Sequence, residues 1–134
     1  MSRNGFRSTT DFNAYIGCRL VEWGTGTSYI ELDVEPHHLN SQGIGHGGVL
    51  LSLLDSACGA CGSTSPPPAP RCTSVTLSLS ANFVQAMRGT KLFARGKMSG
   101  GGKGIYFADA TIHDETGKLI ATANGAFKRV DKKI

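Results

Sequence analysis

The sequence predicts an α+β fold in which an antiparallel sheet wraps around one long central helix. Three observations carry that expectation. One apolar run, from Gly47 or Gly48 to about Cys61, has helical length and is apolar on most faces, so most faces need cover. Two strand-like segments precede it and four follow, with no second helix of comparable length among them. A curled antiparallel sheet covers such a helix nearly all round, whereas a flat sheet leaves its outer side wet unless a second subunit covers it. The 134 residues suit a single domain, read as 1–134, with 1–16 as a loose N-terminal extension and 131–134 as a tail.

Taken in order, the N-terminal stretch "TTDFNAYIG" offers at most a helical turn or two. "CRLVEW" and "TSYIELDVE" read as strands separated by the turn "GTG". In the second, Ser28, Ile30, Leu32 and Val34 alternate with polar neighbours, the period of a half-buried strand. "PHHLNSQGIG" is a loop, opened by Pro36 and closed by glycines. The helix ends at "GSTSPPPAP", because three successive prolines cannot continue it. Beyond lies an expected meander of four strands. In the first of these, Val75, Leu77, Leu79, Ala81 and Phe83 are expected to share the inward face. "TKLFARGKM", "IYFADATIHD" and "KLIATANGAFKRV" supply the rest, separated by "SGGGKG" and "ETG".

Composition excludes several classes. At 40% hydrophobic and 18% charged residues the chain is globular in character, and no apolar run reaches the roughly 18 residues of a spanning helix. The N-terminus lacks the apolar core of a secretory signal, which points to the cytoplasm. Net charge is +4, but the basic residues are dispersed and the densest run, "KRVDKK", reads as a solvated tail, so no nucleic-acid partner is expected. Cys58 and Cys61 form a C-x-x-C inside the apolar helix, without a second pair at ligand spacing, and read as packing residues. "SGGGKG" precedes a strand and lacks the spacing of a phosphate-binding loop. His37 and His38 read as solvated loop residues, and no metal is expected.

The chemistry is concentrated between residues 40 and 55. His46-Gly47-Gly48 stands at a loop-to-helix junction, where the first N–H groups lack intrahelical partners and carry partial positive charge. Such a turn can hold a carbonyl oxygen on which charge develops, or it can simply start a helix. Asp55 lies inside the apolar run, with no Lys or Arg from residue 20 to 70 to pair it. Either it meets a distant partner or it faces a polar cavity where a carboxylate can act as a base. His46 and Asp55 are nine residues apart, about half a turn out of phase and about 13 Å along a regular helix. They do not readily cooperate within one chain, but could across a two-fold axis.

Asn40, a glycine at 43 or 45, His46-Gly47-Gly48 and Asp55 together resemble the hotdog-fold acyl-CoA thioesterases, closest to the phenylacetic-acid-degradation type. The resemblance continues through "TLSLSANFVQAMRGTKLFARGKM" and "DETGKLIATANGAFKRV", covering residues 17 to 130 or so. It implies a site at the interface of a homodimer, commonly within a dimer of dimers. It also implies roles: the Gly47 N–H, assisted by His46, polarises the thioester carbonyl; Asp55 of the other subunit is base or nucleophile; Asn40 places substrate or water. Thr76 is the expected water-holding hydroxyl, ahead of Ser74 and Ser78, and Gly48, Ser74 and Arg88 are expected at the substrate. CoA enters as part of the substrate and no cofactor is implied. Arg71, Lys91 and Lys103 are further candidates for its phosphates. "NFVQAMRG" departs from the family by lacking an Arg-Pro-Ala-like stretch, and the loop "GSTSPPPAPRC" is individual and could shape the acyl end of the pocket. No G-x-S-x-G elbow is present, against an α/β-hydrolase. The alternatives are a hotdog module that binds acyl-CoA without turnover and, lower, a hydratase or dehydratase on the same fold.

Overall fold

The computed structural model describes residues 4–63 and 72–130. The proline-rich stretch, with Arg71, lies outside the described residues, as does the C-terminal tail. A short helix α1 (Phe12–Ile16) leads into β1 (Arg19–Gly24) and β2 (Thr27–Asp33); a single 3-10 turn (Pro36–His38) and a loop then lead to α2 (Gly47–Ser63). The strands β3 (Thr73–Phe83), β4 (Lys91–Gly101), β5 (Ile105–Asp114) and β6 (Leu119–Val130) follow. All six form one antiparallel sheet in the order β1-β2-β4-β5-β6-β3, with α2 lying across its inner face.

The second half is therefore not a four-strand meander. Only β4, β5 and β6 run as one, while β3 pairs with β6 at the far edge. The reason lies in α2, which carries the chain from beside β2 across the sheet, so the next strand enters on the opposite side. The seven residues Val84 to Thr90 then bring the chain back to pair with β2.

Alternation in β2 is as expected, with Ser28, Ile30 and Leu32 buried. The helix is covered on one side only. Leu50, Leu53, Leu54, Ala57, Cys58 and Cys61 pack on the sheet, whereas Leu51 is 40% exposed and Asp55 is half-buried, not enclosed. Packing holds this glycine-rich helix, since its propensity is poor. It lies close against the sheet at Gly96, where any Cβ would collide with the Ala57 carbonyl; the Ser28 hydroxyl donates to that same oxygen at 2.7 Å. The last carbonyls of α2 are satisfied from the sheet: Arg129 Nε donates to Gly62 O (2.8 Å) and Tyr106 Oη to Gly59 O (3.0 Å). Burial, then the neighbouring Cys61 and Asp55, pushes the Cys58 thiol up to about 12, and burial does the same for Cys61. Both thiols sit in the apolar core.

His38 corrects the expectation of a solvated loop residue, being only 1% exposed. Its Nδ1 accepts the Glu35 N–H (2.9 Å) and its Nε2 lies 2.7 Å from the Ile16 carbonyl, so both ring nitrogens have backbone partners. It ties the loop before α2 to the N-terminal helix. No helix among the described residues is long and apolar enough to cross a membrane.

Candidate active site

Helix α2 starts from His46. The His46 carbonyl accepts from the N–H of Val49 (3.0 Å) and Leu50 (3.2 Å), and its Nδ1 accepts the Gly48 N–H at 2.8 Å. His46 thus caps the helix with its own ring, and a neutral ring bound in this way keeps its proton on Nε2. A Cβ on Gly48 would lie 3.0 Å from that Nδ1, so glycine there leaves the ring its place. Gly47 differs. Its N–H has no protein partner among the described residues, and a Cβ there would meet only Phe83 Cζ at 3.8 Å. Its exposed N–H is open to a ligand.

Asn40 holds the loop in front of this turn. Its side-chain oxygen accepts from the N–H of Gln42 (2.9 Å) and Ile44 (3.3 Å), and its own N–H donates to Ile44 O (2.8 Å). The side-chain oxygen is thereby engaged in shaping the loop. Gly45 then fits against Met87, whose Cβ would lie 2.8 Å from a Cβ placed on the glycine. Arg88, next to Met87, is exposed at this same end of the molecule.

Asp55 emerges two turns further along. Thr76 Oγ1 donates to Asp55 Oδ1 at 2.7 Å, a short charge-assisted bond. A bulge makes this contact. Inward-facing Phe127, Gly125 and Ala123 of β6 pair with Thr76, Leu79 and Ala81, and the register slips between Thr76 and Ser78. Leu77 is the extra residue. Strict alternation would have turned Val75 and Leu77 toward the helix; the slip turns Thr76 and Ser74 there instead. Leu77 is left 53% exposed, as is Phe83 at the strand's end, so the uniformly inward apolar row expected of β3 is broken at both places.

A cleft of ≈ 600 Å³ opens over this contact, with Asp55, Thr76, Ser74, Cys72, Asn13 and Arg7 in its lining. Asp55 also borders a smaller one of ≈ 280 Å³ beside Phe12 and Ser52. The carboxylate faces polar surroundings and a distant hydroxyl partner, and makes no ion pair among the described residues. Ser74 bonds the helix carbonyl of Gly59 (3.3 Å) and not the carboxylate. His46, Gly47, Gly48, Asn40 and Arg88 line neither cleft. The chain therefore carries two separate groups: a donor turn at the start of α2 and a carboxylate–hydroxyl pair within it.

Of the other cations, Lys91 is engaged with Glu31 (3.2 Å) and Asp33 (3.9 Å), away from both groups, and Lys103 lies in the β4–β5 turn. The sequence reading missed Arg7 and Asn13, whose Oδ1 accepts the Ser56 hydroxyl at 3.0 Å. Residues 4–11 show no periodicity, and nothing in their pattern marked them as a wall of the cleft. Among the described residues no three His, Cys, Asp or Glu side chains gather to hold a metal.

The chain is similar to known proteins in sequence and in fold. A family model described as the thioesterase superfamily matches residues 42–121, which span both the donor turn and the carboxylate–hydroxyl pair. A Pseudomonas aeruginosa protein provisionally named an esterase is 32% identical over 100 residues, covering 73% of this chain and 72% of its own. Among solved structures, a thioesterase from Haemophilus influenzae superposes with a TM-score of 0.80 at 21% identity, covering 92% of this chain and 85% of its own. A variant of the phenylacetic acid degradation protein PaaI from Thermus thermophilus does so with a TM-score of 0.76 at 25% identity, covering 89% and 98%. The helix-on-sheet architecture is the hotdog fold of these proteins, and the chain belongs to the thioesterase superfamily as a hydrolase of thioesters.

Proposed function

We propose that the protein is a cytoplasmic acyl-CoA thioesterase that works as a homo-oligomer, each site pairing the donor turn of one subunit with the carboxylate of another. The observation that carries this reading is the placement of the two groups along β3. Gly47 lies beside Phe83 at one end of the strand, and Asp55 is bonded to Thr76 near the other. Strand β3 is an edge strand, and Leu77, Phe83 and the following Val84 are exposed along it. Antiparallel pairing of two copies of β3 about a two-fold axis near its middle would bring the Phe83 end of one onto the Thr76 end of the other. Each donor turn would then meet the partner's carboxylate, and the interface would make two complete sites.

In such a site the thioester carbonyl accepts from the Gly47 N–H, with His46 Nε2–H as a second donor. Because Nδ1 is already occupied by Gly48, His46 serves as a donor and not as the base. Asp55, held by the Thr76 hydroxyl through Oδ1, keeps Oδ2 to take a proton from water. The water oxygen bonds to the carbonyl carbon, the tetrahedral oxyanion rests on the donor turn, and its collapse expels the CoA thiolate, which recovers the proton from Asp55. Direct attack by the carboxylate is the alternative use of the same geometry. A general base contributes about 10²–10⁴-fold and one oxyanion donor about 10²–10³-fold. The likeness to a phenylacetic acid degradation protein favours aryl thioesters within the substrate panel, beside medium-chain ones. A dimer of dimers is the assembly we expect, and the CoA thioester needs no further cofactor.

The test is thiol release from a panel of aryl- and medium-chain acyl-CoAs, with Asp55→Asn and Gly47→Pro alongside. Proline removes the Gly47 N–H at the first helical position, where the helix tolerates it. Each variant alone should lose at least about 100-fold. Co-expressed, they should recover roughly a quarter of the wild-type rate, because half the dimers are mixed and each of those retains one intact site. No recovery means that the site lies within one chain; binding of the panel without turnover by the wild type would sink the hydrolase assignment of this pocket.

A further inference from the structure

We infer that Arg7, on the N-terminal strap, is a substrate-anchoring residue whose guanidinium holds an oxyanion group of the thioester, a phosphate or a carboxylate. The inference rests on the proposed function and extends it to a residue that neither the donor turn nor the carboxylate pair includes.

The strap around Arg7 is built into the fold. Before it, Asn4 Oδ1 accepts from the N–H of Phe6 (3.0 Å) and of Leu20 (3.1 Å), and the Gly5 N–H donates to Leu20 O (2.6 Å). A Cβ on Gly5 would lie 2.6 Å from the Trp23 ring, so the chain passes hard against β1. Phe6 packs on the core. After Arg7, Ser8 Oγ accepts from the N–H of Thr10 and Asp11, each at 3.1 Å, and Asp11 caps α1 through Ala14 N–H (2.9 Å). Both flanks are fixed, and between them the exposed Arg7 is one of the residues lining the ≈ 600 Å³ cleft that also contains Asp55 and Thr76.

Arg7 and Asp55 are the one cation and the one anion among the described residues lining that cleft. They are not ion-paired, and Arg7 makes no hydrogen bond with another described residue. The other described residues of the lining are uncharged, with hydroxyls from Ser56, Ser63, Thr73 and Ser74. Asp55 has its hydroxyl partner, while none of the five guanidinium donors of Arg7 is engaged with another described residue. A planar cation in a polar cleft, beside a carboxylate reserved for water, matches carboxylate or phosphate oxygens in a two-pronged contact. Acyl-CoA offers two sources of such oxygens: the phosphates of the CoA, and a free carboxylate on a dicarboxylic acyl group.

The experiment compares wild type, Arg7→Gln and Arg7→Lys on three thioesters: a neutral acyl-CoA, an acyl-CoA ending in a free carboxylate, and the phosphate-free pantetheine thioester of the same neutral acid. If Arg7 holds phosphate, Arg7→Gln raises KM by about 10- to 100-fold for both CoA esters, and the penalty vanishes for the pantetheine ester. If it holds the acyl carboxylate, the penalty is confined to the carboxylate-bearing substrate. In either case Arg7→Lys recovers part of the loss, because it restores charge without the fork. An equal penalty on all three substrates, or none on any, overturns the assignment. Should the wild type turn over none of them, it is the proposed function that fails; equilibrium binding of the same three compounds to wild type and Arg7→Gln then decides for Arg7 by the same pattern.

Discussion

The two edges of the sheet are built to opposite ends. Strand β1 is six residues long, carries Arg19 and Glu22, and has a register slip between Leu20 and Glu22. Arg19 and Lys91 share Glu31 and Asp33 in an ion-pair cluster beside it, and the N-terminal strap takes both the N–H and the C=O of Leu20. Strand β3 is eleven residues long and has no charged side chain from Thr73 to Phe83. Charge, brevity, bulges and cover are the devices by which edge strands avoid pairing with other chains. The first edge uses all four, whereas among the described residues the second has only its bulge, and that bulge serves to aim Thr76. One edge is closed from within, and the other is open, as the proposed pairing of two copies of β3 requires.

The most severe way to break this contrast is to give β3 the protection that β1 has. Leu77→Lys, placed on the exposed bulge residue, should turn the assembly into monomers by light scattering, and hydrolysis should fall by at least about 100-fold with it. An intact, active oligomer would show that β3 is not the joining edge.

A smaller effect separates the bulge's local role from its place at the edge. Thr76→Val keeps the shape and removes the hydroxyl donated to Asp55. The rate should fall about tenfold with the oligomer unchanged, and Thr76→Ser should restore most of it. A wild-type rate in the valine variant would strike Thr76 from the site.

The smallest effect belongs to the turn between β5 and β6. Hydrogen bonds from the Thr116 hydroxyl, and from the N–H groups of Lys118 and Thr116, hold the Asp114 carboxyl below its ordinary value, with Lys118 adding to the effect. A carboxyl lowered in the folded state stabilises the protein above its unfolded pKa, and the contribution is lost as pH falls through the folded value. Asp114→Asn should therefore melt below wild type at neutral pH, and the gap should close on acidification below about pH 4. The oligomer and the rate should stay as they are. A gap that persists in acid would assign the stabilisation to shape and not to charge.

Much of this architecture was legible where the cause is local. The alternation of Ser28, Ile30 and Leu32 marked a half-buried strand, and the apolar density around Leu53, Leu54 and Cys58 marked the central helix. The position of β3 beside β6 was not, because pairing between distant segments leaves no trace in the periodicity of either. The bulge was equally hidden: one extra residue, Leu77, reverses which face Thr76 occupies without altering the pattern of residue types. His38 looked like a loop histidine because its partners are backbone atoms of Ile16 and Glu35, which no side-chain pattern reports. For the site, Asp55 stood out as a carboxylate inside an apolar run, resemblance to a known family added Thr76, and the structure joins the two by a hydrogen bond. Arg7 escaped notice because its position depends on bonds made by Asn4 and Ser8 to main-chain N–H groups.

The seat of α2 on Gly96 has a mechanical consequence. With the Ala57 carbonyl against Gly96, the helix has a fulcrum there. Asp55 is two residues from it and Gly47 ten, lever arms of about 3 Å and 15 Å. A tilt about that point moves the far end about five times as far as the near one. A single methyl group at position 96 would instead push that fulcrum off the sheet and carry Asp55, the nearer of the two groups, along with it, disturbing the carboxylate from a spot that touches neither.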